Sequence, residues 1–430
     1  MSINRKDGYA LMNAVMAQLT GQDSFSVIDA QGFMDAGKIA MTYSTDEIFN
    51  ALTIVGARLF TATRPYKAPL WLIDSINSGY FNNRIRKISY YSTWALPSGA
   101  FNTDLMTNFA DGYGNDASGE KPAGTKDQYE QHPVHPLEMN FANSIVWQDC
   151  ITRYEDQIKI AFSGEDEWAR FWAGVLTEKG NDIEQRKEAH NRTTLLSRMA
   201  IAGAIGDANS AIKTLGTVVD LTAAYNARFG TSYTGAQLRT TYLKEFLAFF
   251  ISEFKVISNM MTKRSLFYHA APKLTLADGD HYILRHTPKS EQRFMMYTPI
   301  WEQAKAQVMP EIFNTEYLKP EQFESVDFWQ TFSLADSDKV AVDFKVTVPG
   351  WLEDMITGGQ TKVDTAYEFN SKYVLGCLFD KDAVLTDFQF EAARTTYPEA
   401  RKNYVNTWFD FGLGYVGDPS ENFLVFVMSC

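Results

Sequence analysis

The chain has 430 residues, of which 45% are hydrophobic and 21% charged, so most of it can fold and its length predicts two or more folding units. Its formal net charge of -12 argues against a dedicated nucleic-acid-binding protein, which would carry a basic face. The three cysteines are far apart, so we expect neither a zinc cluster nor a disulfide framework. No apolar stretch approaches the ~18 residues of a membrane span, so we do not expect a membrane protein. We expect a protein that matures in a reducing cytoplasm.

The N-terminal part predicts helices and a polar arm. Apolar residues at helical spacing from Tyr9 predict an amphipathic helix that ends at Gly21, and the polar stretch after it is typical of a terminal arm. A second helix is predicted from Asp46. Residues 68–73 (APLWLI) then predict a short strand.

Two strands joined by a long polar segment are predicted next. Residues 84–91 form the first, with a basic start, and residues 137–147 form the second, with a Gly-, Asp- and Pro-rich segment between them. A lone two-stranded ribbon is marginal in water, so we expect another surface to cover its apolar side chains. The aromatic residues concerned are Tyr90, Trp94, Phe141 and Trp147.

A helical region follows the second strand. Residues 163–166 resemble a capping box before a first helix, which Gly180 is predicted to end. Asn181 or Asp182 caps a second helix that runs to about Ile205. The first half of this second helix is polar almost all round and the second half is apolar, so we expect one exposed end and one buried end.

The remainder is predicted to be an α+β block with strands at the end. Amphipathic spacing predicts a long helix over residues 237–263. Further strands are predicted at residues 282–284, 294–297 and 343–348, with a helix at 300–308. Four strand-like runs near the C-terminus, at 373–379, 383–390, 403–416 and 423–427, predict a compact meander.

One segment of that meander resembles a catalytic motif. Asp380 and Asp382 follow an apolar strand directly, as the nucleophile and acid/base carboxylates do in haloacid-dehalogenase-type phosphatases. Such a motif normally opens a doubly wound α/β domain, whereas only 48 residues follow Asp382 here, and most of them are strand-like. We therefore favour a hairpin closed by polar turn formers, with Asp380 and Asp382 as surface charges and Leu378, Val384 and Leu385 as the buried residues.

Other catalytic or metal-binding patterns are weak. His132 and His135 have metal-ligand spacing, but the prolines at 133 and 136 prevent a helix, and no third ligand is evident. The sequence has no phosphate-binding loop, dinucleotide fingerprint, nucleophile elbow or HExxH motif. These absences favour a protein that is not an enzyme and that has no catalytic residues, no metal and no cofactor.

The order of the predicted elements resembles the major capsid proteins of tailed phages, which have the Hong Kong ninety-seven capsid fold. Two stretches look closest to those of small short-tailed phages of the phi-twenty-nine kind. They are VWQDCITRYEDQIKIAFSGEDEWARFWAGVLTEKGND and YVLGCLFDKDAVLTDFQFEAARTTYPEARKNYVNTWFDFGLGYVGDPSENFLVFVM. The resemblance implies an α+β fold with an N-arm, an E-loop β-hairpin, a spine helix, a P-domain sheet and an A-domain.

In those terms the chain divides into four parts. Residues 1–48 correspond to the N-terminal arm and 79–162 to the E-loop. The P-domain with its spine helix combines 49–78, 163–205 and 373–430, and residues 206–372 correspond to the A-domain.

The resemblance implies a structural protein that assembles into the icosahedral shell of a tailed double-stranded DNA bacteriophage. Its implied partners are copies of itself in hexamers and pentamers, a portal, scaffolding or minor head proteins, and non-specifically packaged DNA, with assembly in the bacterial host cytoplasm and no membrane. Arg84, Arg86 and Lys87 are expected to pair with acidic groups of a neighbouring subunit. Trp94, Phe141 and Trp147 are expected to be buried at or under that contact.

Two alternatives stay open at this point. One is an encapsulin-like nanocompartment shell, which would enclose enzyme cargo and no genome. The other is a phosphatase of the haloacid-dehalogenase type that uses Asp380 and Asp382.

Overall fold

The computed structural model describes a mixed α+β chain. The described residues are 5–21, 27–28, 30–40, 70, 72–76, 84–92, 133–141, 144–154, 165–206, 216–276, 279–307, 322–327, 329, 343–359, 364–370, 374–396 and 404–428. The helices are α1 (Arg5–Thr20), α2 (Ala30–Ala40), α3 (Glu165–Gly206), α4 (Leu221–Phe229), α5 (Gly235–Thr240), α6 (Leu243–Met261), α7 (Thr298–Gln307) and α8 (Gly350–Thr357). The strands are β1 (Asp74–Ile76), β2 (Ile85–Tyr90), β3 (Pro136–Phe141), β4 (Ser144–Tyr154), β5 (Val218–Asp220), β6 (Lys273–Leu276), β7 (Gly279–Tyr282), β8 (Gln292–Tyr297), β9 (Phe323–Val326), β10 (Asp343–Val348), β11 (Thr365–Asn370), β12 (Val374–Asp380), β13 (Val384–Thr395), β14 (Tyr404–Gly417) and β15 (Phe423–Val427).

The N-terminal helix ends where the sequence predicts. Gly21 follows α1 with φ +67, a left-handed conformation that glycine adopts without steric cost and that commonly terminates helices. The face of α1 that carries Met12, Val15 and Met16 is buried. The sequence argument missed α2, and the helix predicted from Asp46 lies outside the described residues.

The two helices predicted on either side of Gly180 are one helix. The prediction of a break was wrong, because α3 runs without interruption for 42 residues, or about 63 Å at 1.5 Å per residue. A glycine in a helix interior costs only about 1 kcal/mol relative to alanine, which packing over such a length offsets. Gly180 itself is buried.

Two sheets form the centre of the fold. The five-stranded sheet has the order β5-β15-β12-β8-β9, and the four-stranded sheet has the order β1-β13-β14-β4. The predicted C-terminal strands are all present, but β12 pairs with β15 and β8, whereas β13 pairs with β14 and β1. The predicted hairpin between β12 and β13 was therefore wrong, since the turn at residues 381–383 carries the chain from one sheet to the other.

The five-stranded sheet is covered on both faces. Leu378 and Phe426 belong to the apolar cluster that α6 forms on one face. On the other face, Cys377 and Phe379 pack in a cluster with the apolar half of α3. Because both faces of β12 are buried, every residue of that strand is buried, including Asp380 at its end.

Gly376 allows two strands of this sheet to approach closely. A Cβ atom at this position would lie 2.6 Å from the carbonyl oxygen of Met295 on β8. We expect Gly376→Ala to lower the free energy of unfolding by about 1–3 kcal/mol, because relieving this overlap requires a backbone shift in a close-packed sheet. Urea unfolding at neutral pH measures the change.

Gly417→Ala is the matched control. Gly417 also lies in a strand, but a Cβ there would be 3.9 Å from Arg198 Cδ, an ordinary van der Waals contact. An equal loss of stability in both variants would contradict the close-approach argument.

The remaining helices and strands agree in part with those predicted from the sequence. The helix predicted over 237–263 is divided into α5 and α6, and its apolar stripe is buried as expected. The predictions of β8, α7 and β10 are confirmed. The strand predicted at 282–284 is misplaced, since β7 ends at Tyr282. The strand predicted at 68–73 lies partly outside the described residues; of those described, residues 70, 72 and 73 precede β1, which begins at Asp74, and are not part of it.

Candidate functional site

The predicted two-stranded ribbon is present at its base. Strands β2 and β3 pair antiparallel, with Ile85 opposite Phe141 and Tyr90 opposite Pro136. Between the two strands the structure describes residues up to 92 and again from 133. The predicted long tip and Trp94 therefore lie outside the described residues. The second predicted strand continues differently, because β4 pairs with β14 and belongs to the four-stranded sheet.

The outward face of the ribbon is partly apolar. Side chains alternate along β2, and Arg86, Ile88 and Tyr90 point away from the subunit. Ile88 is 46% exposed and Tyr90 is 60% exposed. Arg86 donates to Glu138 Oε2 at 2.7 Å across the ribbon, which leaves a mixed apolar and charged surface.

The inward face of the ribbon rests on charged groups. Lys87 and Ser89 of β2 point toward the subunit, as does Met139 of β3. The ammonium of Lys87 contacts the carboxylates of both Asp418 and Glu421. These two acidic residues lie in the turn that joins β14 to β15.

Two arginines complete this group of charges. The Nε atom of Arg285 lies 3.2 Å from Glu421 Oε1. From α3, Arg198 Nε donates to the carbonyl oxygen of Asp418 at 3.1 Å and Arg198 Nη2 to that of Glu421 at 3.2 Å. We call the set Lys87, Arg198, Arg285, Asp418 and Glu421 the base cluster. It joins the ribbon, the long helix and the turn between the two sheets.

The pKa values of the groups in the base cluster are shifted in different directions. Burial alone would raise the pKa of Asp418, but the charge and hydrogen bond of Lys87 and the hydrogen bonds from Ser420 outweigh it, so the pKa is lowered. For Glu421 burial dominates and the pKa is raised. Burial would lower the pKa of Lys87, yet the two carboxylates raise it. Burial lowers the pKa of Arg198 to about 10.

Sequence reasoning missed most of this cluster. The segment from Asp418 to Asn422 has the composition of a turn, and turns are expected at the surface. One signal was available: Arg198 is a charged residue within the apolar run LLSRMAIAGAI, and a charge buried among apolar residues requires partners.

The predicted basic residues have partners within the chain. Arg84 is exposed at the start of β2, Arg86 pairs with Glu138, and Lys87 pairs within the base cluster. Pairing of Arg84 or Arg86 with a neighbouring subunit stays a prediction. For Lys87 the acidic partners lie in the same subunit, which corrects the expectation that a neighbour supplies them.

The predicted aromatic residues are partly covered by their own chain. Trp147 packs against Phe411 and Leu413 of β14 and Ile183 of α3. Phe141 is half-buried on the inward face of the ribbon. Contact of either residue with a neighbouring subunit stays a prediction, but the cover that the sequence argument required for Trp147 comes from within the subunit.

The phosphatase interpretation does not fit the geometry of Asp380 and Asp382. Asp380 is 5% exposed and accepts hydrogen bonds from the Thr287 hydroxyl at 2.7 Å and the Asp382 N–H at 3.0 Å. Its strand lies between antiparallel neighbours, not in a doubly wound parallel sheet. Asp380 is therefore a buried structural carboxylate whose pKa burial raises, and its assignment as a surface charge was wrong. Asp382 is exposed, as predicted.

The polar half of α3 is buried, contrary to expectation. Helices α1 and α2 and strands β13 and β14 pack on α3. Glu188 and Arg192 form an ion pair at 2.8 Å within this half. His190 Nε2 lies 2.9 Å from the carbonyl oxygen of Gly414.

His190 makes stability sensitive to mild acid. Burial lowers its pKa, so the unfolded chain binds the proton more readily and stability falls as the pH drops below the ordinary histidine value of about 6.5. His190→Gln removes this titration but keeps an N–H donor. Between about pH 7.5 and about pH 5.5, its free energy of unfolding should fall by about 1 kcal/mol less than that of the unchanged protein. Equal losses in urea unfolding would contradict the assignment.

The described residues show neither a metal cluster nor a membrane-spanning helix. There, no three His, Cys, Asp or Glu side chains converge as they would around a metal ion, and His132 lies outside this part. None of the described helices is long and apolar enough to span a membrane.

The chain is similar to known proteins in its three-dimensional structure. No protein-family model matches the chain, and no curated protein matches it. A chain from the capsid structure of Staphylococcus phage Andhra is similar over 85% of this chain and 86% of that one, with a TM-score of 0.50 and 11% sequence identity. The mixed α+β fold of the Hong Kong ninety-seven type is therefore confirmed.

Two further phage structures show weaker similarity. The mature capsid of bacteriophage PhiM1 has a TM-score of 0.40 at 9% identity, covering 84% of this chain and 87% of that chain. The capsid of the cyanophage P-SCSP1u has a TM-score of 0.40 at 10% identity, covering 85% and 89% respectively.

Proposed function

We propose that this chain is the major capsid protein of a tailed double-stranded DNA bacteriophage and assembles into its icosahedral shell. The observation that carries the proposal is a capsid-type fold from which a two-stranded ribbon projects with an outward face that is partly apolar and exposed. Such a surface suits a repeated contact between copies of one chain. The role is structural, and Asp380 supports the fold instead of performing catalysis.

The domains follow from the same proposal. Residues 1–48 are the N-terminal arm and 206–372 the A-domain. The P-domain with its spine helix α3 combines 49–78, 163–205 and 373–430. The E-loop is 79–162, and its ribbon β2–β3 joins the P-domain through β4, which pairs with β14.

The outward face of the ribbon is proposed to lie on a neighbouring subunit. Ile88 and Tyr90 supply apolar contact, and Arg84 and Arg86 supply charge toward acidic groups of the neighbour. A contact of this kind joins two different patches, and it closes into rings when the rotation between copies is right. Repetition around hexamers and pentamers lets a modest interface stabilise a whole particle.

The aromatic residues of the E-loop are proposed to lie at or beneath the same contact. Trp94 is assigned to the same contact from its sequence position. Phe141 and Trp147 lie beneath it, where they support the ribbon and the strand that follows.

The remaining partners are proposed from charge and from the fold. A net charge of -12 suits a shell filled with DNA that has to leave again, with contacts to the genome that are not sequence-specific. We place the protein in a small short-tailed phage, with assembly in the host cytoplasm. Its further partners are a portal and scaffolding or minor head proteins.

Electron microscopy of the purified protein tests the proposal. Uniform shells, or rings and sheets of regular spacing, are the expected result. A monomer that stays soluble at high concentration would contradict it, and so would Mg²⁺-dependent phosphatase activity that is lost in Asp380→Asn. Shells from infected cells should contain double-stranded DNA, whereas shells that contain enzyme cargo and no genome would identify a nanocompartment.

A further inference from the structure

Several polar contacts attach the ribbon to its own subunit. Arg285 Nη2 donates to the Ser89 hydroxyl at 2.8 Å, and the Ser92 N–H donates to the carbonyl oxygen of Tyr282 at 3.0 Å. Among the described residues, the apolar clusters on the two faces of the five-stranded sheet include none from β2 or β3. Polar contacts have strict requirements for distance and angle, whereas apolar contacts tolerate sliding. Met139 of β3 is also buried on the inward face, but the direction of the ribbon is set most strictly by these polar groups.

Lys87 is the central group of this attachment. Its side chain is 26% exposed, whereas the side chain of Asp418 is 1% exposed and that of Glu421 is 12% exposed. In the part of the chain that the structure describes, Lys87 is the cation within ion-pair distance of the Asp418 carboxylate. A buried carboxylate without its cation is strongly unfavourable, so the subunit holds Lys87 in place.

The two arginines cannot replace Lys87. Arg285 pairs with Glu421, and the Arg198 guanidinium donates to backbone carbonyls and lies 4.6 Å from the ring centroid of Phe423. Arg198 therefore holds the turn between β14 and β15 in shape, and Arg285 does so as well while it donates to Ser89 of the ribbon. Lys87, which extends from the ribbon, ties the ribbon to that turn.

The turn to which Lys87 binds connects the two central sheets. Strand β14 belongs to the four-stranded sheet and β15 to the five-stranded sheet, so the residues from Asp418 to Asn422 bridge the two sheets. Arg198 anchors the same turn to α3. A ribbon fixed to this point is fixed relative to both sheets and to the long helix.

We propose that Lys87 is a positioning residue whose ion pairs with Asp418 and Glu421 set the direction in which the ribbon leaves the subunit. Its value for assembly rests on the proposed function, because a fixed direction presents the outward face of the ribbon to a neighbour. The attachment itself is a property of the single chain.

Hydrogen–deuterium exchange on the unassembled chain tests the proposal. Lys87→Met keeps most of the alkyl stem and removes the charge. It should accelerate amide exchange in residues 85–92 and 137–141 by about tenfold, with the Ser92 amide as the direct reporter of docking. Exchange in residues 374–380 and 423–427 should stay unchanged. Lys87→Arg, which keeps the charge, should restore protection.

Lys381→Met is the matched control. Lys381 pairs with the half-exposed Glu291 at 2.8 Å, and neither residue belongs to the ribbon or to the base cluster, so this variant should leave exchange in the ribbon unchanged. Unchanged ribbon exchange in Lys87→Met would overturn the proposal. Equal acceleration in the ribbon and in residues 374–380 would also overturn it, because that pattern reports a general loss of stability.

Glu421→Gln covers the case in which Lys87→Met does not fold. It removes one of the two carboxylates and keeps the pair between Lys87 and Asp418, so ribbon exchange should rise by about threefold. No rise would overturn the proposal. Since exchange is measured without assembly, a chain that shows the local effect but never forms shells would contradict the proposed function and leave the role of Lys87 intact.

Discussion

Replacing Asp418 with asparagine is expected to lower the free energy of unfolding by about 3–5 kcal/mol at neutral pH, because removing one partner of a buried ion pair leaves the other partner uncompensated. The variant leaves Lys87, Arg198 and Arg285 around the single carboxylate of Glu421. Asparagine keeps the oxygen that accepts from the N–H and hydroxyl of Ser420, so the turn geometry is preserved and the effect of charge is isolated.

The dependence on pH provides a second check of the same residue. The pKa of Asp418 is lowered in the folded chain, so its contribution is present above the ordinary carboxyl value and is lost as the pH falls through the lower folded value. The difference in stability between Asp418→Asn and the unchanged protein should therefore stay constant from neutral pH to about pH 5. Urea unfolding at several pH values measures it.

Asp35→Asn is the control for Asp418→Asn. Asp35 pairs with Lys38 on α2 at 3.2 Å, with side-chain exposures of 54% and 72%. Exposed pairs of this kind contribute about 0–1 kcal/mol, so the control should lose little stability. A loss for Asp418→Asn that is no larger than for Asp35→Asn would show that the base cluster does not stabilise the fold.

The sequence predicts those parts of the fold in which local pattern determines structure. Strict alternation over residues 343–348 predicts β10 with its exact bounds, and helical spacing predicts the buried stripe of α6. The paired bases of the ribbon are predicted because two alternating runs flank a long polar segment. In each case the burial of one face is encoded within a few neighbouring residues.

The sequence could not predict features that depend on distant partners. A three-residue turn fits a hairpin and a change of sheet equally well, and the outcome at residues 381–383 is decided by β15 and β8, which occupy both edges of β12. The polar half of α3 was expected in solvent because part of its cover comes from β13 and β14, which are distant in sequence: Lys187 donates to Glu391 of β13 and His190 lies against Gly414 of β14. The base cluster was missed for the same reason, since Lys87 and Asp418 are separated by 331 residues.

Replacing both Ile88 and Tyr90 with aspartate is expected to abolish shell assembly and leave the subunit folded. Both side chains are exposed on the outward face of the ribbon, so the folded subunit loses little buried apolar surface, and its free energy of unfolding should change by no more than about 0.5 kcal/mol per site. At a contact with a neighbour, each aspartate would place an unpaired charge in an apolar interface, which is strongly unfavourable. That penalty recurs at every copy of the contact around a ring. Electron microscopy and sedimentation measure assembly, and circular dichroism with urea unfolding confirms the fold.

Ile28→Asp is the control that distinguishes the effect of a charge on the ribbon from the effect of an added surface charge elsewhere. Ile28 lies in the chain between α1 and α2 and is 81% exposed, more than either ribbon residue, so the substitution places one aspartate, half the charge of the ribbon variant, at an exposed apolar site outside the ribbon. This variant should assemble. Normal shells from the ribbon variant would contradict the proposed contact of β2 with a neighbour. Loss of assembly in both variants would contradict the selective role of the ribbon, because any added surface charge would then be sufficient to prevent shell formation.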